Sequence, residues 1–131
     1  MNLVYKSNAV VEVTKEFTFD SCHQLLSYKG ACERLHGHTY KLQVTVKGTP
    51  DYRGMVLDFK ELKSICKLHI VEYLDHYNLN DKLPYNTTAE NMVVHFYDII
   101  KRHLEDTNIE VVSVRLWETP TSYAEYRGEL V

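Results

Sequence analysis

Two stretches of this chain put apolar side chains on alternate residues, and both alternations meet histidine at one end. From Val11 to His23 the odd positions read Val11, Val13, Lys15, Phe17, Phe19, Ser21 and His23. From His36 the even positions read His36, His38, Tyr40, Leu42, Val44 and Val46, while the odd positions from Thr39 to Lys47 are polar. A period of two is the spacing of side chains along one face of a strand, so each stretch predicts a half-buried strand. If the two strands are neighbours, their inward faces aim His23, His36 and His38 at one point. Gly37, between the paired histidines, leaves the opposite side of the backbone open to close approach.

The rest of the chain supplies helices and two further strands. Gln24 to Leu35 has no clear period and reads as a loop, with Cys32 near its end. Gly48 to Gly54, with Pro50 and Asp51, is a turn, after which Met55 to Leu57 pairs briefly. Asp58 is a natural N-cap for a helix whose apolar stripe is Phe59, Leu62, Ile65, Cys66, His69, Ile70 and Tyr73. Cys66 reads as a core thiol and His69 as a helix-face histidine. Thr87 and Glu90 stand at capping-box spacing before a second helix with Met92, Val93, Phe96, Ile99, Ile100 and Leu104 inward, ending near Asp106. After Ile109 the even positions Val112, Val114, Leu116 and Glu118 share a face, Pro120 breaks the strand, and Tyr123 to Arg127 closes the sheet. The expected order is ββααββ, an α+β class with a four-stranded antiparallel sheet, in one domain over residues 1–131.

Composition narrows the function. With 44% hydrophobic and 25% charged residues the chain is ordinary globular material rather than disordered or fibrous. Its apolar runs fall short of the roughly 20 residues that span a bilayer, so no membrane role is expected. The net charge is −3 and the basic residues form no run, which argues against a nucleic-acid partner and for a small molecule. Three cysteines without framework spacing suit a reducing compartment, and the expected location is cytoplasmic.

Three imidazoles match the ligand count of a catalytic zinc site, which leaves a fourth position for water or substrate. Structural zinc usually takes four ligands rich in cysteine, and no Cys-x-x-Cys pair occurs. Imidazole ligation by itself suits zinc, iron, copper and nickel alike. A lone strand histidine is ordinarily a packed residue, and the shared inward parity of all three sets them apart. Cys32, four residues before His36, lies in a polar loop within the field of a bound cation, which favours thiolate over an inert thiol. Such a thiolate serves as a base at carbon while the metal polarises the adjacent oxygen. Asp75 directly precedes His76, either as a second proton-transfer pair or as a helix-end cap. Glu118 places a carboxylate on an apolar face, which is costly unless paired.

On these residues the chain resembles the 6-pyruvoyltetrahydropterin synthase and 6-carboxytetrahydropterin synthase family. The resemblance covers nearly the whole chain. It rests on His23, Cys32 through His38, Leu74-Asp75-His76 with Leu79-Asn80-Asp81, Thr88 with Glu90-Asn91, and Trp117-Glu118-Thr119. It implies zinc on His23, His36 and His38, proton transfer by Cys32, Asp75 and His76, and Glu118 gripping the guanidine-like edge of a pterin. Thr88 is a further substrate-binding position by the same resemblance. The implied fold is the tunnelling fold, with two helices on one face of the sheet. By the same resemblance, trimeric barrels are expected to stack as a homohexamer, with sites at subunit interfaces.

The short spacing from Cys32 to His36 resembles the bacterial carboxy branch. Its members convert 7,8-dihydroneopterin triphosphate to 6-carboxytetrahydropterin, acetaldehyde and triphosphate, in the direction of queuosine. Glu33 resembles the catalytic glutamate of another branch, which forms 6-hydroxymethyl-7,8-dihydropterin for folate synthesis, so that activity, alone or beside the first, is the alternative. A silent zinc-stabilised pterin-binding module is a third reading, against which the joint presence of Cys32, Asp75 and His76 argues. Thr87 departs from the family, where proline is common before Thr88.

Overall fold

The computed structural model describes residues 3–26 and 34–131, so the expectations for Cys32 and Glu33 lie outside the described residues. Strand β1 (Val11–His23) pairs antiparallel with β2 (His36–Gly48) along its whole length, from Val11 opposite Gly48 to His23 opposite His36. Strand β3 (Glu110–Thr119) joins the other edge of β2, and β4 (Ser122–Tyr126) closes the order β1-β2-β3-β4. The alternation is realised as expected: Phe17, Phe19, Ser21 and His23 of β1 are buried, as are Tyr40, Leu42, Val44 and Val46 of β2. Ser21 is accommodated inside because its hydroxyl donates to the Leu74 carbonyl at 2.6 Å.

The parity of β3 changes partway. The β2 partners jump from Val111 opposite Val46 to Ser113 opposite Thr45, so Val112 is the extra residue of a β-bulge. Val111, not Val112, therefore packs on the core, while Val114 and Leu116 face inward as expected. Met55 to Leu57 forms no strand. There Asp51 organises a turn, its backbone N–H bonded to the Met55 carbonyl at 2.8 Å and its carboxylate accepting from Arg53 N at 2.8 Å.

Helix α1 (Phe59–Cys66) starts at Asp58, whose side chain accepts from Lys60 N. It runs on through a π-helical turn, Lys67–Val71, into a last short turn, α2 (Glu72–Leu74). The π turn holds one residue more than an α turn would, and it shifts the inward stripe. Leu62, Cys66 and Ile70 are buried, but Val71 and Leu74 follow, whereas Tyr73 is exposed, as is Phe59 at the start. A short helix, α3 (Leu79–Lys82), capped by Asn78, adds to the two expected helices.

Helix α4 (Ala89–Leu104) is capped by Thr88, which accepts from Asn91 N, rather than by Thr87. The helices cover the inward face of the sheet, and Phe17, Phe19, Leu42, Val44, Leu62, Ile70, Met92, Phe96, Ile100 and Leu116 belong to one core. Among the described residues no helix is long and apolar enough to cross a membrane.

Candidate active site

The strand register brings the three histidines together. His23 and His36 are directly opposite one another, and Ser21 opposite His38 places the third ring one pleat along the same face. Ring centroids are 4.7 Å apart for His23 and His36, 4.8 Å for His36 and His38, and 5.4 Å for His23 and His38. Glu118 lies on the inward face of β3, one residue past the last β2–β3 pair, Lys41 with Trp117. Its Oε1 atom is 2.9 Å from His38 Nε2 and 3.8 Å from His23 Nε2. Sequence reasoning assigned this carboxylate to ligand, yet in the protomer it stands among the histidines.

Hydrogen bonds behind two rings fix which nitrogen faces the centre. His23 Nδ1 lies 2.9 Å from the Thr87 carbonyl, and His36 Nδ1 lies 2.8 Å from the Arg34 carbonyl. A carbonyl only accepts, so both Nδ1 atoms carry hydrogen and both Nε2 atoms offer lone pairs when the rings are neutral. Those two Nε2 atoms are 3.1 Å apart. Facing lone pairs repel at that distance unless a proton or cation sits with them. His38 Nε2 is buried and makes no aligned hydrogen bond despite its closeness to Glu118. Burial holds the His23 imidazole below its ordinary pKa, which keeps it in the neutral, ligating form. These donors fit a metal ion: the ligand atoms of His23, His36, His38 and Glu118 all lie within 4.8 Å of one another. Nitrogen-rich coordination suits zinc and related transition metals.

Asp75 and His76 do touch. Asp75 Oδ2 lies 3.0 Å from His76 Nδ1, which orients the ring and leaves Nε2 outward. The pair is clamped to the edge of β1, because Asp75 Oδ1 accepts from Asp20 N at 2.8 Å and His76 N donates to Asp20 O at 2.6 Å. That bond from the Asp20 amide is the main reason the Asp75 carboxyl is held below the usual carboxylate range. His76 takes φ of 64°, in the left-handed region, a conformation costing roughly 1–2 kcal/mol for a residue with a Cβ.

The dyad sits beside the edge of β1. His76 lines an open cleft of about 530 Å³ with Asp20, Ser21, Cys22, Gly37, His38, Thr39, Tyr77 and Asn78. Asp20, Cys22, Gly37 and Thr39 have the parity opposite to His23, His36 and His38, whereas Ser21 shares the histidines' parity, so the cleft takes residues of both sheet faces beside the edge of β1. A Cβ at Gly37 would meet only Ser21 O, at 3.6 Å, so the glycine keeps the cleft floor clear rather than avoiding a clash. His38 thus belongs both to this cleft and to the histidine cluster. Thr88 spends its side-chain oxygen on the Asn91 amide at 3.1 Å. Sequence reasoning missed Thr87 and Tyr40, both fully buried, with hydroxyls 3.2 and 3.4 Å from His23 Nδ1. The inward parity of Tyr40 was a signal for one of them, and nothing in the sequence pointed to the other.

Comparison with known proteins points to one family. The family described as 6-pyruvoyl tetrahydropterin synthase matches residues 12–129. A curated relative from Haemophilus influenzae, 6-carboxy-5,6,7,8-tetrahydropterin synthase, is 38% identical over 88% of this chain and 98% of its own. A protein of the same name from Synechocystis is 37% identical over 87% of this chain and 91% of its own. Among solved structures, the 6-pyruvoyl tetrahydropterin synthase of Caenorhabditis elegans superposes with a TM-score of 0.80. It is 26% identical, with 92% of this chain and 97% of that one covered.

Proposed function

Because this chain belongs to the 6-pyruvoyl tetrahydropterin synthase family, we propose that it is a 6-carboxy-5,6,7,8-tetrahydropterin synthase acting on 7,8-dihydroneopterin triphosphate. The products are 6-carboxytetrahydropterin, acetaldehyde and triphosphate. The observation that carries the reading is the pair of Nε2 atoms 3.1 Å apart on His23 and His36, in a chain similar to bacterial proteins of that name.

His23, His36 and His38 hold zinc, which supplies Lewis acidity toward a substrate oxygen when bound. Cys32 takes a proton from substrate carbon as thiolate. His76, kept in one tautomer by Asp75 at 3.0 Å, exchanges a proton at Nε2. Glu118 leaves the histidines to accept the donor edge of the pterin, and Thr88 lies at the same end of the fold. In the homohexamer with sites at subunit interfaces that the family resemblance implies, His76 serves the zinc centre of a neighbouring copy. The 131 residues act as one catalytic domain, on a route toward queuosine.

The test is to load the protein with zinc, supply 7,8-dihydroneopterin triphosphate and separate the pterins, repeating with Cys32→Ala and Glu33→Ala. The reading requires 6-carboxytetrahydropterin and acetaldehyde that vanish with Cys32→Ala. Formation of 6-hydroxymethyl-7,8-dihydropterin alone, lost with Glu33→Ala, overturns it.

A further inference from the structure

His23 is fully buried, and three oxygens lie within hydrogen-bond reach of its Nδ1 atom. The Thr87 carbonyl is at 2.9 Å, the Thr87 hydroxyl at 3.2 Å and the Tyr40 hydroxyl at 3.4 Å. All three groups sit where no solvent reaches, since Thr87 and Tyr40 are themselves 0% exposed. A buried N–H with a single partner can lose it when a loop breathes, whereas one N–H shared among three acceptors keeps its direction.

The segment presenting Thr87 is fixed from both ends. On one side, the Asn86 side chain grips Leu26 through its backbone N–H at 3.0 Å and its carbonyl at 3.1 Å. On the other, Thr88 caps α4, and its own N–H donates to Asn86 O at 2.8 Å. Asn91 Nδ2 reaches back to that same carbonyl at 2.8 Å. Thr87 is thus placed by a helix cap and aimed at a histidine ring. Tyr40 is placed by stacking on Phe19, with ring centroids 5.1 Å apart.

We propose that Thr87 and Tyr40 are positioning residues for His23: with the Thr87 carbonyl they cage Nδ1–H and hold the ring in the tautomer that turns the Nε2 lone pair on the metal position. This rests on the metal reading of the site. Groups behind a ligating imidazole set its tautomer and its basicity, and their loss typically weakens metal binding without removing a ligand.

Two measurements test it, one on metal-free and one on zinc-loaded protein. In nitrogen-15 histidine spectra of the metal-free wild type, His23 should be the Nδ1–H tautomer, and Thr87→Val should add the Nε2–H form. In chelator competition, Thr87→Val and Tyr40→Phe should each weaken zinc about 10-fold, while Thr87→Ser, which restores the hydroxyl, stays close to wild type. Thermal transitions identify any variant that fails to fold, and Tyr40→Phe and Thr87→Ser keep the comparison decisive if Thr87→Val does not. Unchanged zinc affinity in both Thr87→Val and Tyr40→Phe, or a wild-type His23 already in the Nε2–H form, overturns the cage. A folded wild type that holds no zinc overturns the metal reading itself.

Discussion

His23 and His36 stand directly opposite on β1 and β2 with their Nε2 atoms 3.1 Å apart, each turned inward by a carbonyl behind its ring. Without a cation this is a repulsive pair. Zinc should raise the melting temperature and chelation should reverse the gain, with about 4 kcal/mol expected at a thousandfold excess over the dissociation constant. His36→Leu, measured in chelator, should be no less stable than wild type. Calorimetry with and without zinc checks both, and a His36→Leu protein that melts well below the chelated wild type would count against the repulsion.

The dyad is bonded to the edge of β1 through Asp20, whereas the histidine cluster lies on the inward face of β1 and β2. His38→Ala and His76→Ala proteins should each be inactive alone, yet regain part of the activity when unfolded together and refolded, because in the proposed interface site a mixed pair of neighbours rebuilds an intact site. Steady-state rates of the refolded mixture decide it. Complete absence of recovery would place the whole site within one protomer.

His76 carries an unfavourable backbone conformation, φ of 64°. Replacing it by glycine relieves that strain, so His76→Gly should leave stability unchanged or raise it by up to about 1 kcal/mol. Turnover should fall by at least about a hundredfold, the usual scale for losing a general acid–base group. Denaturant melts beside kinetics separate the two effects.

Asp75 is held below the usual carboxylate range chiefly by the Asp20 amide, with His76 adding to the effect. A carboxyl whose folded pKa is depressed contributes stability that is present above its unfolded value, near 4, and is lost as pH falls through the folded value. Wild type should therefore lose stability below about pH 4 more steeply than Asp75→Asn. At neutral pH Asp75→Asn should be the less stable protein. Melting temperatures across a pH series from 7 to 2 give the slope.

Cys66 is fully buried, and burial pushes its thiol up to about 12. It should resist iodoacetamide at pH 8 in the folded protein and react fully in guanidinium, read by mass spectrometry of its peptide. Cys66→Ser should cost roughly 1–3 kcal/mol, since the hydroxyl would be buried among apolar groups.

The strand alternation made the sheet and the histidine cluster legible, because period two fixes both a face and a register when one face is buried. What the alternation could not reveal was anything that adds or moves a single residue. The bulge at Val112 and the π turn at Lys67–Val71 each shift a downstream pattern by one position, and no local residue type announces either. The helix cap shows the same limit: Thr87 and Thr88 are both competent caps, and only the buried demand of His23 for an acceptor decides which one faces the ring. Asp75 and His76 were readable as a pair, but their place at the edge of β1 depends on how the chain returns along that strand after α2. The parallel bridge between Cys22 and Asn78 establishes that path.

The cap of α4 and the lock on His23 are adjacent residues of one short segment, so the first turn of a helix and the interior of a binding site share the same hydrogen-bond scaffold. That makes 83–91 a poor place to open the chain or graft a segment, however short the change. New termini for a circular permutant, or an inserted tag, belong instead in the turn around Tyr52 and Arg53, where exposed residues and a glycine at φ of 82° absorb rearrangement far from the histidines. An engineer stiffening the start of α4 would, by the same link, be tuning metal retention.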